Sequence, residues 1–216
     1  MMTETIVHTR RPAPLRRLIV IMGLVVVMLV LAGCASQGIE QSRYRLPSEV
    51  NDIEIAGHFE GSVWLAPPRL AGYLKDGGIV MQFGDIRIHQ ARHHLWAEPL
   101  AHQLQERMRQ HLAKALPDAE VLRRGQPATA PSPALHVQLD IDQFQGRNDG
   151  MAVVSGEWRI RDAQDRTLSH EPFKVVRPLQ NDGYPALVRT LGTAWDILGD
   201  RLADTLAETA VMAKAD

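Results

Sequence analysis

Two segments of alternating residues, separated by a short turn, constrain this chain more than any other feature. Leu135, Val137, Leu139 and Ile141 are apolar, and His136, Gln138, Asp140 and Asp142 beside them are polar. Residues 151–161 repeat the pattern. Ala152, Val154, Gly156, Trp158 and Ile160 fall on one side; Ser155, Glu157, Arg159 and Arg161 fall opposite. A period of two means a strand with one buried and one wet face. The stretch between them, "QGRNDG" at 145–150, is turn chemistry, so the two segments form a hairpin. A second turn, "DAQDR" at 162–166, leads to a strand over 167–177.

A sheet with one apolar face needs cover, and two later patterns supply it. Tyr184, Leu187, Val188, Leu191, Trp195, Leu198, Leu202 and Leu206 keep the helical period from a start near Asp182. Leu100, Leu104, Met108, Leu112 and Leu116 recur every four residues, predicting a helix over 95–116. Pro99 fits its first turn, where a missing N–H costs nothing, and Pro117 stops it. Shorter signals fill the rest: a strand at 58–66 ended by Pro67-Pro68, a turn-rich connection at 70–78, and a hairpin of 79–83 with 86–89. A strand at 119–122 precedes a Pro- and Ala-rich loop at 123–134. No internal repeat is visible. The expected fold class is α/β: a single domain over 44–216, with a mixed, mainly antiparallel sheet packed by two long amphipathic helices.

The N-terminus is organised differently. Arg10, Arg11, Arg16 and Arg17 precede an uncharged run from Leu18 to Leu31. A basic segment, a short apolar one and then small residues is the layout of a secretory signal. A membrane span needs about 20 apolar residues, which this run reaches only by borrowing Gly33, Cys34 and their neighbours. Leu31-Ala32-Gly33-Cys34 matches the bacterial lipobox, and Cys34 is the only cysteine in the chain. Residues 1–33 therefore read as a lipoprotein signal peptide, Cys34 as the lipidation site, and 34–43 as a polar, lipidated tether. Several acyl chains anchor stably where one holds only marginally. With no second cysteine there is no intramolecular disulfide and no cysteine left for redox work. Residue 35 is Ala rather than Asp, which points to the outer membrane and its periplasmic face.

Composition and motifs exclude several function classes. From Cys34 onward the chain carries 20 Lys and Arg against 24 Asp and Glu, so no basic footprint for nucleic acid exists. His94, Glu98 and His102 share a spacing of four, but two ligands eight residues apart lie about 12 Å apart along a helix. They read as a solvated helix face, and no metal or cofactor is expected. Ser155 lacks the Gly-x-Ser-x-Gly turn that presents a nucleophile, and Gly77-Gly78 lacks the Gly-Lys-Ser/Thr of a phosphate cradle. The expectation is that the chain is not an enzyme.

The tip of the 135–161 hairpin is a different matter. Met151 and Val153 are apolar on the otherwise polar side. Either they mark a contact surface, or another segment such as the loop at 123–134 covers them. "FQGRNDGMAVVSGEW" at 144–158 resembles the corresponding hairpin of the PqiC-like ABC-type transport auxiliary lipoproteins. "YRLP" at 44–47, "LWAEPLAHQL" at 95–104 and "NDGYPALVRTLGTAW" at 181–195 are similar to the family's first strand, first long helix and last helix. The resemblance implies an outer-membrane lipoprotein that docks an MCE-domain tunnel protein in intermembrane lipid transport, in a ring of copies, with possible phospholipid contact. It marks Gly146, Arg147, Asp149 and Gly150 as a signature. With Met151 and Val153 these form the expected partner-binding set. Turn chemistry explains Gly150 and Asp149 but leaves the charge of Arg147 without a role. Two other readings stand beside this one. An activator of a peptidoglycan synthase would need a longer tether. A lipid chaperone would need a cavity that its helices leave no room for.

Overall fold

Why the alternation at 135–141 does not run on to the turn is explained by one extra residue. In the computed structural model, Ala134–Arg147 and Met151–Arg161 pair antiparallel, with Ile141 opposite Gly156 and then Gln143 opposite Ser155. The extra residue is a β-bulge, and it reverses parity along the first strand. Odd positions up to Ile141 face the core, and even positions after it, Phe144 and Gly146, take over that face. The strand thus runs through the predicted turn as far as Arg147, and only residues 147–150 turn.

The structure describes residues 18–19, 21–24, 40–48, 53, 55–129 and 133–215. Two compact units divide the chain, Met1–Glu40 and Gln41–Asp216. In the first, the described residues 18–19 and 21–24 are helical and exposed. The expected signal peptide otherwise falls outside the described residues, as do Cys34 and the tether up to residue 39.

The second unit has nine described strands and two long helices. The strands are β1 (Ser42–Tyr44), β2 (Gly61–Leu65), β3 (Arg69–Leu70), β4 (Gly78–Phe83), β5 (Arg87–Trp96), β6 (Ala119–Arg123), β7 (Ala134–Arg147), β8 (Met151–Arg161) and β9 (Thr167–Pro178). The helices are α1 (Leu100–Ala115) and α2 (Tyr184–Ala215). One edge of β7 pairs with β8, and β8 pairs with β9. Its other edge is shared, in turn, by β2, β3 and β4, all parallel to it. The sheet therefore forks: β6 extends it beyond β2, and β5 then β1 extend it beyond β4. It is a mixed α/β sheet as expected. The long pairings, β7 with β8 and β8 with β9, are antiparallel, whereas the fork is built from short parallel ones. A strand shared by several short partners explains how so many pairings fit into one domain.

Both helices seal the apolar face. Leu104, Met108 and Leu112 of α1 and Leu191, Leu198, Leu202 and Leu206 of α2 are fully buried in one core with Leu135, Leu139, Val154 and Ile160. The first helix starts later than the periodicity suggests. Residues 87–96 are strand, and Leu100 is the first helical residue after Pro99. The β-rich "HHLW" run satisfies its backbone against β1 and β4 instead. His94 consequently lies on a strand, stacked on Tyr184 at 4.0 Å and hydrogen-bonded to the Tyr44 hydroxyl at 2.9 Å. His102 is paired with Glu98 at 2.9 Å. The three residues weighed as one helix face are not on one.

The outer face of α1 carries a small charge network. Glu106 accepts hydrogen bonds from Arg109 at 2.7 Å, Gln110 at 2.9 Å and Arg123 of β6 at 2.6 Å. These hold its carboxyl at about 2, from an ordinary 4.5, with the Arg109 hydrogen bond the largest cause and burial opposing. A carboxylate with a depressed folded pKa stabilises fully above its unfolded value and loses that contribution as pH falls toward the folded one. Stability measured by urea unfolding should therefore drop between about pH 4.5 and 2, and Glu106→Gln should flatten that part of the slope. An unchanged slope in the variant would mean the network is not formed in solution.

Candidate functional site

The end of the sheet where β4 meets β7 gathers the residues singled out in the sequence. Arg147, Asn148, Asp149 and Gly150 form a tight turn closed by Gly150 N–H donating to the Arg147 carbonyl at 3.2 Å. Gly150 has φ +78°, which favours glycine. Arg147 has a partner within the turn: its Nε donates to Asp149 Oδ1 at 3.1 Å, and its Nη2 donates to Asp149 Oδ2. Asn148 ties the turn to its neighbour. Its N–H donates to the Gln82 carbonyl at 3.0 Å, and its Oδ1 accepts from Gly84 N–H at 3.4 Å.

Two members of the predicted set are not on the surface. Gly146 is a buried strand residue, not a turn residue. A Cβ there would stand 2.5 Å from Met81 Sδ and 2.8 Å from Leu187 Cδ2. It is glycine because α2 is seated directly on it. Gly146→Val should cost about 1–3 kcal/mol through overpacking, read as a lower urea midpoint; a neutral result would mean Leu187 is not seated there. Val153 is 1% exposed, so it cannot itself present a contact surface. It lies across from Gln145 and Val176 and lines a polar recess with Gln82, Gln143, Arg147 and Lys174. These long side chains and the β4–β5 turn surround it, rather than the loop at 123–134 that was considered as its cover. Arg147, Asp149, Gly150 and the half-buried Met151 are what the turn offers to a partner.

Beneath the turn lies a polar network that the sequence did not announce. Gln145 is fully buried, accepts from the Tyr73 hydroxyl at 2.8 Å and donates to Gln82 Oε1 at 2.7 Å. Gln82 Nε2 in turn reaches the carbonyls of Gly84 and Asp85, both at 3.1 Å. The Tyr73 hydroxyl also lies 2.6 Å from the Asp142 carbonyl, and burial, then Asp142, raises its pKa above 10.0. This chain of amides holds the β4–β5 tip against β7. Only the bulge puts Gln145 on the face away from the core, and no local pattern reveals a bulge.

The start of the second unit is fastened as well. Leu46 N–H donates to Gln103 Oε1 at 2.9 Å, and Arg107 donates to the Pro47 carbonyl. Arg107 also grips both oxygens of Asp196, at 2.8 and 2.6 Å, between the helices. These are structural contacts, and they fix where the chain enters the domain.

A forked mixed sheet with two helices on one face, following a lipobox, defines an envelope lipoprotein domain. The family model for the ABC-type transport auxiliary lipoprotein component matches residues 44–203, and the chain belongs to that family. It is 31% identical over 171 residues to the intermembrane transport lipoprotein PqiC of Escherichia coli (strain K12), covering 79% of this chain and 88% of that protein. The PqiC of Shigella flexneri is as similar. A crystal structure of an uncharacterized protein, 28% identical, superposes with a TM-score of 0.66 over 77% of this chain and 99% of its own. Protein XCC0632 from Xanthomonas campestris has the same fold at 14% identity, with a TM-score of 0.66 over 81% of this chain and all of its own.

Proposed function

We propose that this chain is an outer-membrane, periplasm-facing lipoprotein subunit of an intermembrane lipid-transport system, held by acyl chains on Cys34. It docks an MCE-domain tunnel protein and assembles with copies of itself, without catalysis of its own. The observation that carries this reading is the extent of the similarity to PqiC. It spans the folded domain, not a single motif. The lipobox and Ala35 in place of Asp support the anchor and its membrane. Partner contact would use Arg147, Asp149, Gly150 and Met151, with Gly146 and Val153 shaping the turn from below.

The test is affinity purification of the full-length lipoprotein from detergent-solubilised envelopes, read by mass spectrometry. Stoichiometric recovery of an MCE-domain protein, lost in Met151→Asp with unchanged circular dichroism, is the expected result. Recovery of a peptidoglycan synthase instead would replace transport with synthase activation. Cys34→Ala should remove the protein from the outer-membrane fraction; retention there would sink the lipid anchor.

A further inference from the structure

The large apolar side chains left in water are few, and two of them share one tip. Ile86 is 87% exposed and Ile88 39%, both on the hairpin joining β4 to β5. Val176, 36% exposed, lies toward the same end on β9. Beside Ile86, the Arg87 guanidinium lies over the Phe83 ring at 5.2 Å, and His89 meets that ring edge-on at 6.3 Å. The tip is an apolar point with a cation at its base.

Its surroundings are basic. Over residues 84–89, 147–151 and 174–179, Arg87, Arg147, Lys174 and Arg177 stand against Asp85 and Asp149. The chain from Cys34 onward has the opposite balance, with acidic residues in excess. Nor is the tip loose, because Gln82 closes it from beneath through Gln145 and Tyr73.

The direction of β1 connects this end to the anchor. β1 runs parallel to β5, with Ser42 opposite His94. β5 leads away from the tip, so the chain upstream of Ser42 enters from the tip side. From His94 back to Arg87 is seven residues, at most about 23 Å of strand. From Ser42 back to Cys34 is eight residues, at most about 28 Å. A bilayer holding Cys34 is within reach of Ile86.

We infer that the β4–β5 tip is a second membrane contact, with Ile86 and Ile88 entering the interface of an anionic bilayer and Arg87 meeting its phosphates. The inference rests on the lipoprotein reading of Cys34. Aliphatic side chains gain by leaving water, and basic residues gain beside anionic lipid. Two contacts restrict rotation about the tether that one would permit. The turn at 162–166, roughly 35 Å away along β8 at about 3.3 Å per residue, then points into the periplasm.

The lone cysteine makes the test direct. Acylation consumes Cys34, so Ile86→Cys provides one free thiol for an environment-sensitive fluorophore, and Gln164→Cys in the far turn provides the control. The lipidated full-length protein is placed in vesicles of phosphatidylethanolamine with phosphatidylglycerol. The expected result is a blue shift and protection from aqueous iodide at position 86, with neither at position 164, and a weaker response in phosphatidylcholine alone. Free quenching at position 86 on vesicles that carry the protein in flotation would overturn the tip contact while leaving the anchor intact. Protein that fails to float removes the anchor and the inference with it. Protection without vesicles would assign the tip to a protein contact instead.

Discussion

Trp195→Ala should destabilise the domain by about 3–5 kcal/mol, the range for removing a large aromatic from a packed core. Trp195 is 1% exposed, meets Phe144 edge-on at 6.1 Å, and donates its indole N–H to the Leu104 carbonyl at 3.1 Å. It therefore joins α2 to the sheet through Phe144 and to α1 through Leu104. The substitution removes the ring's apolar burial, its edge-to-face contact and one buried hydrogen bond together. At an m-value of about 2 kcal/mol per molar urea, the midpoint should fall by roughly 2 M. Domains hold about 5–15 kcal/mol in total, so much of the native margin is at stake. Trp195→Phe should retain part of the packing and lose the hydrogen bond. A loss below about 1 kcal/mol in the alanine variant would mean that α2 is not seated through this residue.

The second large effect concerns the ion pair between the helices. Arg107 is 6% exposed in its side chain and Asp196 18%. Burial pushes the Asp196 carboxyl above its ordinary range, while Arg107 pulls it down. Removing one partner of such a pair leaves a charge buried without compensation, a loss of about 3–5 kcal/mol. Arg107→Met also strips the Pro47 carbonyl of its donor, so the entry of the chain should loosen together with the helix contact. Because burial costs the carboxylate, replacing both partners should be far milder. Arg107→Met with Asp196→Leu is expected to recover most of the stability, since apolar replacement of a buried pair is often neutral or better. Thermal unfolding of the two single variants and the double variant measures this coupling. Additive losses would show that the two side chains do not act as a pair.

Much of this was legible because period and burial are tied. Leu135 to Ile141, Ala152 to Ile160 and the stripe from Tyr184 to Leu206 each repeat with the period of the element they form, and each is buried. The two-helix cover and the hairpin follow from that alone. At the site, Gly150 and Asp149 announced a turn, and the structure has one. The start of α1 was misread because Leu95 and Trp96 extend an apolar rhythm backward. Pairing with β1 and β4 claims them for a strand, and that choice is made by neighbours remote in sequence.

What the sequence by itself determined is therefore the set of elements, the apolar faces they bury, and the lipobox motif around a single cysteine. What only the tertiary structure decided is how they meet. The bulge after Ile141 puts Gln145 on the far face and Gly146 under Leu187. The sharing of one edge of β7 among three strands, and the seating of Arg107 on Asp196, likewise join residues tens of positions apart. So does the closing of Arg147 on Asp149 beside a tip built from residues 84–86. Periodicity reports only which face of its own element a residue occupies. One inserted residue reverses that face, and long-range pairing selects its neighbour, so both lie beyond any local pattern.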